Sequence, residues 1–321
     1  MRLSTSMIYQ QNLNGILDNQ SIWQKSGEQL ASGKRVVNPS DDPIAASQSI
    51  MIGQSQAETE QYKLARTFAR QGMSFEASII KSTVNAVTSA LGEVTSAGGV
   101  RTNDDRNTHA LVLEGIKAQL LNIANTTDGN GSYIFAGYQT DKPPFVEDPV
   151  TKKVSYVGGQ TSISQQVDAS RSMTVSHIGS QVFSGVTGDA VKEPDGSATQ
   201  SDLFETLDIA IAALKTPIAE GDTAAQEALS AALDKTNRGL RNSVNNLSAV
   251  ESSLGVQLDE LDKLDSIGED RKLANTEAQS QLQDTDWVAA ISAYIMKQSS
   301  LQASYTTFQN MQGMSLFQIN R

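Results

Sequence analysis

The chain has 321 residues, a formal net charge of −11, only 5% aromatic residues and no cysteine. The negative charge argues against a nucleic-acid binder and against insertion into or binding to an anionic membrane, because both partners attract basic surfaces. The missing cysteine excludes disulfides, thiolate nucleophiles and cysteine-ligated metal centres.

The first 43 residues predict a helical arm that ends in a hinge. Apolar residues recur in the arm at coiled-coil spacing, which favours a face that packs on other helices. These are Leu13, Ile16, Trp23 and Leu30. No apolar stretch of signal-peptide length opens the chain, so we expect any export to proceed without a cleaved signal peptide.

The hinge is the stretch SGKRVVNPSDDP at residues 32–43. A phosphate loop would need more glycines after a strand, and the adjacent carboxylates Asp41 and Asp42 would diverge too far to act as an acid–base pair. A helix stop and restart accounts for the stretch, with a glycine cap, an extended X-Pro step, an N-cap aspartate and an N1 proline. In chain order, the residues of this hinge are Gly33, Asn38, Pro39, Asp42 and Pro43.

Residues 44–129 predict the first half of a helical domain, because residues 44–142 contain no proline. Apolar residues alternate there in steps of four and three, which is typical of a coiled-coil seam. They are Met73, Ala77, Ile80, Val84, Val87, Leu91 and Val94. A single helix over 44–97 would be about 80 Å long and would have to lie beside other long helices.

Residues 130–200 predict an inserted β-rich outer domain. Short alternating runs, YIFAGY, KVSYVGG, SISQQVDAS and SMTVSHI, are separated by Gly, Pro, Asp and Ser. The region holds a single histidine, His177, and the other histidine of the chain is His109. Two scattered histidines argue against a transition-metal site or a histidine-based catalytic triad, so we predict no catalytic residue, metal or cofactor.

Residues 201–283 predict the second half of the helical domain, with leucines in one heptad register from Leu229 to Leu264. Residues 284–321 predict a last helix that begins at DTDW and carries an aromatic stripe. Its predicted interface residues are Trp287, Ile291, Tyr294, Leu301, Tyr305, Phe308 and Leu316. The chain has little sequence left to cover this stripe, so its partners are the N-terminal arm or other subunits.

Two motifs at opposite ends resemble those of the flagellin family. They are LASGKRVVNPSDDPIAA at 30–46 and DTDWVAAISAYIMKQSSLQASY at 284–305, and the ending MSLFQINR adds to the second. The variant NPSDDP, with TTDGNGSYIFAGYQTDKPPF at 126–145, is similar to the hook-associated members that join the flagellar hook to the filament.

The resemblance implies a mainly α fold with an inserted β-rich domain, in which long helices from both termini pack as a bundle. It implies a structural protein of the bacterial flagellum, without enzymatic activity, that is exported unfolded by the flagellar type III apparatus and located outside the cell. The implied partners are other copies in a ring, the neighbouring hook-associated junction protein, flagellin, and an export chaperone that binds the C-terminal region.

Three other interpretations stay open at this point. A flagellin filament subunit would carry a KDDAAG-like start where this chain has NPSDDPIAAS. A secreted enzyme would place its activity in the middle domain, which has few candidate residues. A coiled-coil adaptor would not need paired motifs at both ends.

Overall fold

A computed structural model of the chain describes residues 5–99 and 102–313. Long helices dominate it, as the sequence predicts. The helices are α1 (Thr5–Ser32), α2 (Pro43–Ala97), α3 (Asn103–Ala124), α4 (Gly179–Phe183), α5 (Leu203–Lys215), α6 (Thr223–Gln283) and α7 (Trp287–Gly313). The expectation of a single helix over 44–97 is confirmed, and α6 is longer still, with 61 residues.

Strands occur between α3 and α4 and form two antiparallel hairpins. β1 (Phe145–Glu147) pairs with β2 (Val154–Tyr156), and β3 (Ile163–Asp168) pairs with β4 (Arg171–Ser176). All four strands lie within the region predicted to be β-rich, and each hairpin is a separate two-stranded sheet. The hairpin edges are therefore short.

The chain divides into two compact units. The terminal unit comprises residues 1–60 and 268–321, and the central unit comprises residues 61–267. Each contains parts of α2 and α6, while α3, α4, α5 and both hairpins belong to the central unit.

The central unit holds one hydrophobic core built on the predicted heptad seams. Val87 and Leu247 are 0% exposed, and every buried residue of this core cluster lies between Ala69 and Leu261. The seam residues of α2 alternate between fully buried and partly buried, as expected for a helix that packs on more than one neighbour. Burial of such apolar side chains is the main favourable term in folding.

An aromatic cluster joins the first hairpin to α4 and α5. The Phe145 ring lies 5.1 Å from the Phe183 ring and 5.4 Å from the Phe204 ring, and Phe135 meets Phe183 edge-on at 5.3 Å. Edge-to-face and tilted contacts of this kind add to the stabilisation that burial alone provides.

The prediction of a strand at YIFAGY, residues 133–138, is wrong. Residues Ile134–Ala136 form a 3₁₀ turn that places Phe135 in the aromatic cluster, and Gly137 follows with a φ of 59°. Gly137 allows this tight turn, because glycine adopts a positive φ without strain. The alternation of large and small residues therefore belongs to a turn and not to a strand.

Candidate assembly surface and hinge

Helices α1 and α7 pack against each other as an antiparallel pair in the terminal unit. The rings of Tyr9 and Phe308 lie 5.0 Å apart, and those of Trp23 and Tyr294 lie 5.8 Å apart. Between these two contacts, the Asn19 amide donates a hydrogen bond of 2.7 Å to the Ser304 hydroxyl. The expectation that the N- and C-terminal helices pair is confirmed.

A small residue allows the helices to approach closely in the middle of this pair. A Cβ atom on Gly27 would lie 3.4 Å from the Tyr294 ring. A Cβ atom would just reach contact with that ring, so a side chain longer than alanine at position 27 would have to displace it.

Little apolar surface is buried in the terminal unit. Only four described hydrophobic residues are buried there, against 32 in the central unit. They are Ile16, Val36, Ala45 and Leu301. This burial is too thin for a core of the kind that stabilises an independent domain.

The α1–α7 pair also carries few charges. Its 28-residue and 27-residue helices contain Asp18, Lys25, Glu28 and Lys297 as their only charged residues. An ordinary surface helix presents many charges to water, so this composition is typical of helices that other protein covers.

One side of the pair presents an uncovered apolar surface. At 3.6 residues per turn, Leu13 and Leu17 lie about 60° and 100° around α1 from the buried Ile16. Ile291 and Ile295 lie at the same angles, about 60° and 100°, around α7 from Tyr294. Equal rotations on antiparallel helices point to the same side, so these four exposed residues form one surface, the terminal apolar face.

The structure divides the predicted interface residues into two groups. Five contribute to the α1–α7 contact, either as buried residues or in ring pairs: Ile16, Trp23, Tyr294, Leu301 and Phe308. Four remain exposed: Leu13 at 37%, Trp287 at 54%, Ile291 at 45% and Tyr305 at 44%. Leu30 is half-buried, and Leu316 lies outside the described residues.

The hinge begins and ends with the caps that its sequence predicts. α1 ends at Ser32, and Gly33 follows with a φ of 69°. α2 begins at Pro43, and the Asp42 carboxylate accepts a hydrogen bond of 3.0 Å from the Ala45 amide. Between them, the Asp41 amide donates to the Asn38 carbonyl at 2.9 Å, which closes a β-turn with Pro39 at its second position.

The linker between α6 and α7 lies directly against this hinge. The Arg35 amide donates to the Gln283 carbonyl at 2.6 Å, and the Thr285 amide donates to the Gly33 carbonyl at 3.0 Å. Lys34 and Asp284 form the antiparallel bridge between these two bonds. The two connections that lead to α1 and α7 are therefore tied together by backbone hydrogen bonds.

Carboxylates hold the hinge through charge-assisted hydrogen bonds. Lys25 lies 2.6 Å from Asp41, and its hydrogen bond, with that from the Asn38 amide, lowers the pKa of Asp41 below the ordinary value. The Ala45 amide, followed by the Arg35 guanidinium, lowers the pKa of Asp42 in the same way. Both groups are thus stabilised in their ionised form.

Three residues that hold the hinge were not predicted from the sequence. Lys25 and Asp41 form an ion pair, and the Arg35 side chain donates to the Leu282 carbonyl at 2.9 Å while it pairs with Asp42. Aspartate in a proline-containing turn commonly accepts hydrogen bonds from the turn amides. The sequence could therefore have predicted this role for Asp41. The role of Arg35 could not be predicted in this way, because the carbonyl that it binds is 247 positions away in the chain.

Within residues 5–99 and 102–313 there is no group of three His, Asp or Glu side chains placed to hold a metal ion. The same ranges contain no helix long and apolar enough to cross a membrane.

Comparison with known proteins identifies the family. The family model for the bacterial flagellin N-terminal helical region matches residues 3–140. Over their full lengths, the chain is 55% identical to flagellar hook-associated protein 3 of Escherichia coli K12 and 53% identical to that of Salmonella typhimurium LT2. The structure also shares its fold with the flagellar junction protein FlgL of Legionella pneumophila, with a TM-score of 0.61, 18% identity, and coverage of 74% of this chain and 100% of that one. The chain belongs to the family of flagellar hook-associated protein 3, the structural flagellar proteins that carry a flagellin-type N-terminal region.

Proposed function

We propose that this chain is a structural subunit of the hook–filament junction, where copies assemble through their α1–α7 pairs. The terminal apolar face carries this proposal. Leu17 and Ile295 are each 55% exposed on one side of a helix pair that holds almost no charge. Covering such residues with the helices of a neighbour supplies the burial that the terminal unit lacks.

The predicted interface residues take two roles in this proposal. Those in the α1–α7 contact shape the pair within one subunit, and the exposed ones contact neighbouring subunits. The exposed ones are Leu13, Trp287, Ile291 and Tyr305, and Leu316 is proposed to join them.

The partners follow from the same proposal. Copies of the chain form a ring, with the neighbouring hook-associated protein on the hook side and flagellin on the filament side. An export chaperone covers the C-terminal region before export, and the protein acts outside the cell as a structural component without enzymatic activity. The uncovered aromatic and aliphatic residues of α7 make this helix suitable for a chaperone, because free exposed patches of this kind promote aggregation.

We propose that residues 32–43 act as a hinge that sets the direction of the terminal pair. The backbone ties from Gly33 and Arg35 to residues 283–285 support this, since they make α1 and α7 leave the hinge together. We also propose that residues 1–43 and 284–321 act as assembly arms, that 44–129 and 201–283 form the helical domain, and that 130–200 form its outer domain.

Complementation of a strain that lacks this chain tests the proposal. The Ile295→Asp variant should fold, since Ile295 is exposed, yet it should leave hooks without filaments in electron micrographs. A carboxylate on the terminal apolar face would have to be buried unpaired in the assembly, which costs several kcal/mol, on the order of 2–5. Val150→Asp is the matched control, because Val150 is 87% exposed on a loop of the central unit.

The two variants distinguish an assembly contact from an ordinary exposed surface. Filaments attached to hooks with Val150→Asp but not with Ile295→Asp support the proposal. Normal filaments with Ile295→Asp would contradict it, because the substituted face could not then be an assembly contact.

A further inference from the structure

The methionines of the central unit are buried, whereas three of the terminal unit are exposed. Met73 is 0% exposed and Met173 is 3% exposed, and both belong to the core cluster of the central unit. In the terminal unit, Met7 is 57% exposed, Met51 61% and Met296 68%. Among the residues that the structure describes, the accessible thioethers are therefore concentrated in the unit that carries the terminal apolar face.

An exposed thioether is the group of this chain that a peroxide oxidises most readily, because the chain has no cysteine. A lone pair of the sulfur attacks one oxygen of the peroxide, an S–O bond forms, and the O–O bond breaks. The transferred oxygen gives up its proton to the leaving oxygen, which departs as water when the oxidant is hydrogen peroxide. The sulfur loses two electrons and the peroxide gains them, and the product is methionine sulfoxide.

Access of the oxidant to the sulfur sets the order of reaction. The buried sulfurs of Met73 and Met173 meet the oxidant only when the core opens, so they react last. Met311 is half-buried, and its sulfur accepts a hydrogen bond of 3.2 Å from the Asn12 amide, which shields it while the α1–α7 pair is formed. The three exposed methionines therefore react first.

The exposed methionines of the terminal helices point away from the contact between α1 and α7. At about 100° per residue, Met7 lies about 180° around α1 from the buried Ile16. Met296 lies about 160° around α7 from Tyr294. Met51 lines a groove between α2 and α6 of the same unit. Oxidation at these positions leaves the contact within the chain intact and changes the outer surface of the unit from apolar to polar.

We propose that Met7, Met51 and Met296 form an oxidation site that controls the entry of this chain into the assembly. A peroxide in the surroundings converts them to sulfoxides while the chain is free, and the sulfoxides then prevent a neighbour from covering the terminal unit. A sulfoxide oxygen is a strong hydrogen-bond acceptor, and an apolar contact offers it no donor, so the modified surface stays in water. The proposal rests on the function proposed above, because its consequence is lost assembly.

Peptide mass spectrometry of the purified full chain, treated with hydrogen peroxide, tests the order of reaction. We expect sulfoxide to form at least about tenfold faster at the three exposed methionines than at the buried Met73 and Met173. Similar rates at all five positions would overturn the proposal, because exposure in the terminal unit would then not direct the oxidation.

An oxidation-resistant variant tests the consequence. It combines Met7→Leu, Met51→Leu and Met296→Leu, since leucine conserves volume and apolar character but has no sulfur. Each chain, untreated or treated with peroxide and then freed of it, is added with flagellin to flagella of a strain that lacks the chain, and the filaments attached to hooks are counted. We expect treatment to reduce attachment at least about tenfold for the wild type, with recovery after methionine sulfoxide reductase, and to leave the variant unchanged.

The outcomes separate the oxidation site from the junction function. Equal loss in the treated wild type and the treated variant, or no loss in either, would overturn the oxidation site and leave the junction function in place. Failure of the untreated wild-type chain to restore filaments would overturn the junction function, and with it the oxidation site.

Discussion

Val87→Asp tests whether the hydrophobic core of the central unit determines the stability of that unit. Val87 is 0% exposed in the heptad seam of α2, within the core cluster that extends to Leu261. The substitution removes a buried isopropyl group and places a carboxylate where the surrounding seam consists of aliphatic side chains. The seam positions of α2 from Met73 to Val94 are all apolar, so none of them offers a partner of opposite charge.

The magnitude follows from the loss of burial and the cost of the charge. Together they amount to about 4 kcal/mol or more, against a typical margin of about 5–15 kcal/mol for a folded domain. For a unit of roughly 200 residues, about 2–4 °C of melting temperature is lost per kcal/mol. The variant should therefore melt about 8–16 °C below the wild type, or fail to fold.

Leu301→Asp is the comparison, followed by circular dichroism melting. Leu301 is 9% exposed in the terminal unit, so its change should shift the main transition by less than about 3 °C. It should still prevent assembly, because the α1–α7 pair is disturbed. Equal losses of melting temperature in the two variants would refute the reasoning, since they would show that both units unfold as one.

Three further predictions concern the hinge and the ends of the chain. The first variant replaces Asn38, Pro39, Asp42 and Pro43 together by alanine. It should melt within about 4 °C of the wild type but leave no filaments attached to hooks. The pKa of Asp41 is lowered, so its ionised form stabilises the turn above about pH 4, and this contribution is lost as the pH falls through the lowered pKa. An NMR titration of the Asn38 amide, which donates to Asp41, should therefore show a step in chemical shift that Asp41→Asn removes. Limited proteolysis of the dilute chain should trim both ends and leave a resistant fragment around 61–267, and intact ends would contradict this.

The sequence predicted those elements whose signals are local. The spacing from Met73 to Val94 identified the buried side of α2, and the aspartate caps predicted for α2 and α7 are both present. Asp286 accepts hydrogen bonds from the Val288 and Ala289 amides at 2.9 and 3.2 Å, as the DTDW motif indicates. Helix periodicity and capping depend on residues within one or two turns, and for this reason a single sequence reveals them.

Other features depend on partners that are distant in the chain. Arg66 looks like an ordinary surface arginine until Asp265 and Val167 are brought beside it. Phe68 looks like a core residue by its type, yet it points away from the core because Ala69 and Met73 already face it. The pairing of Lys34 with Asp284 joins both ends of the chain, and nothing near either residue predicts it.

The uneven burial of the two units links stability to assembly. Of the described buried hydrophobic residues, 32 lie in the central unit, so we expect this unit to fold without a neighbour. The terminal unit has four among the residues that the structure describes, while ordering a backbone costs about 1–2 kcal/mol per residue. A neighbour that binds only the ordered α1–α7 pair stabilises that order by mass action. In the proposed assembly, ordering of the pair and growth of the structure would then be one cooperative step, unfavourable for a single free chain and favourable at the end of a growing structure.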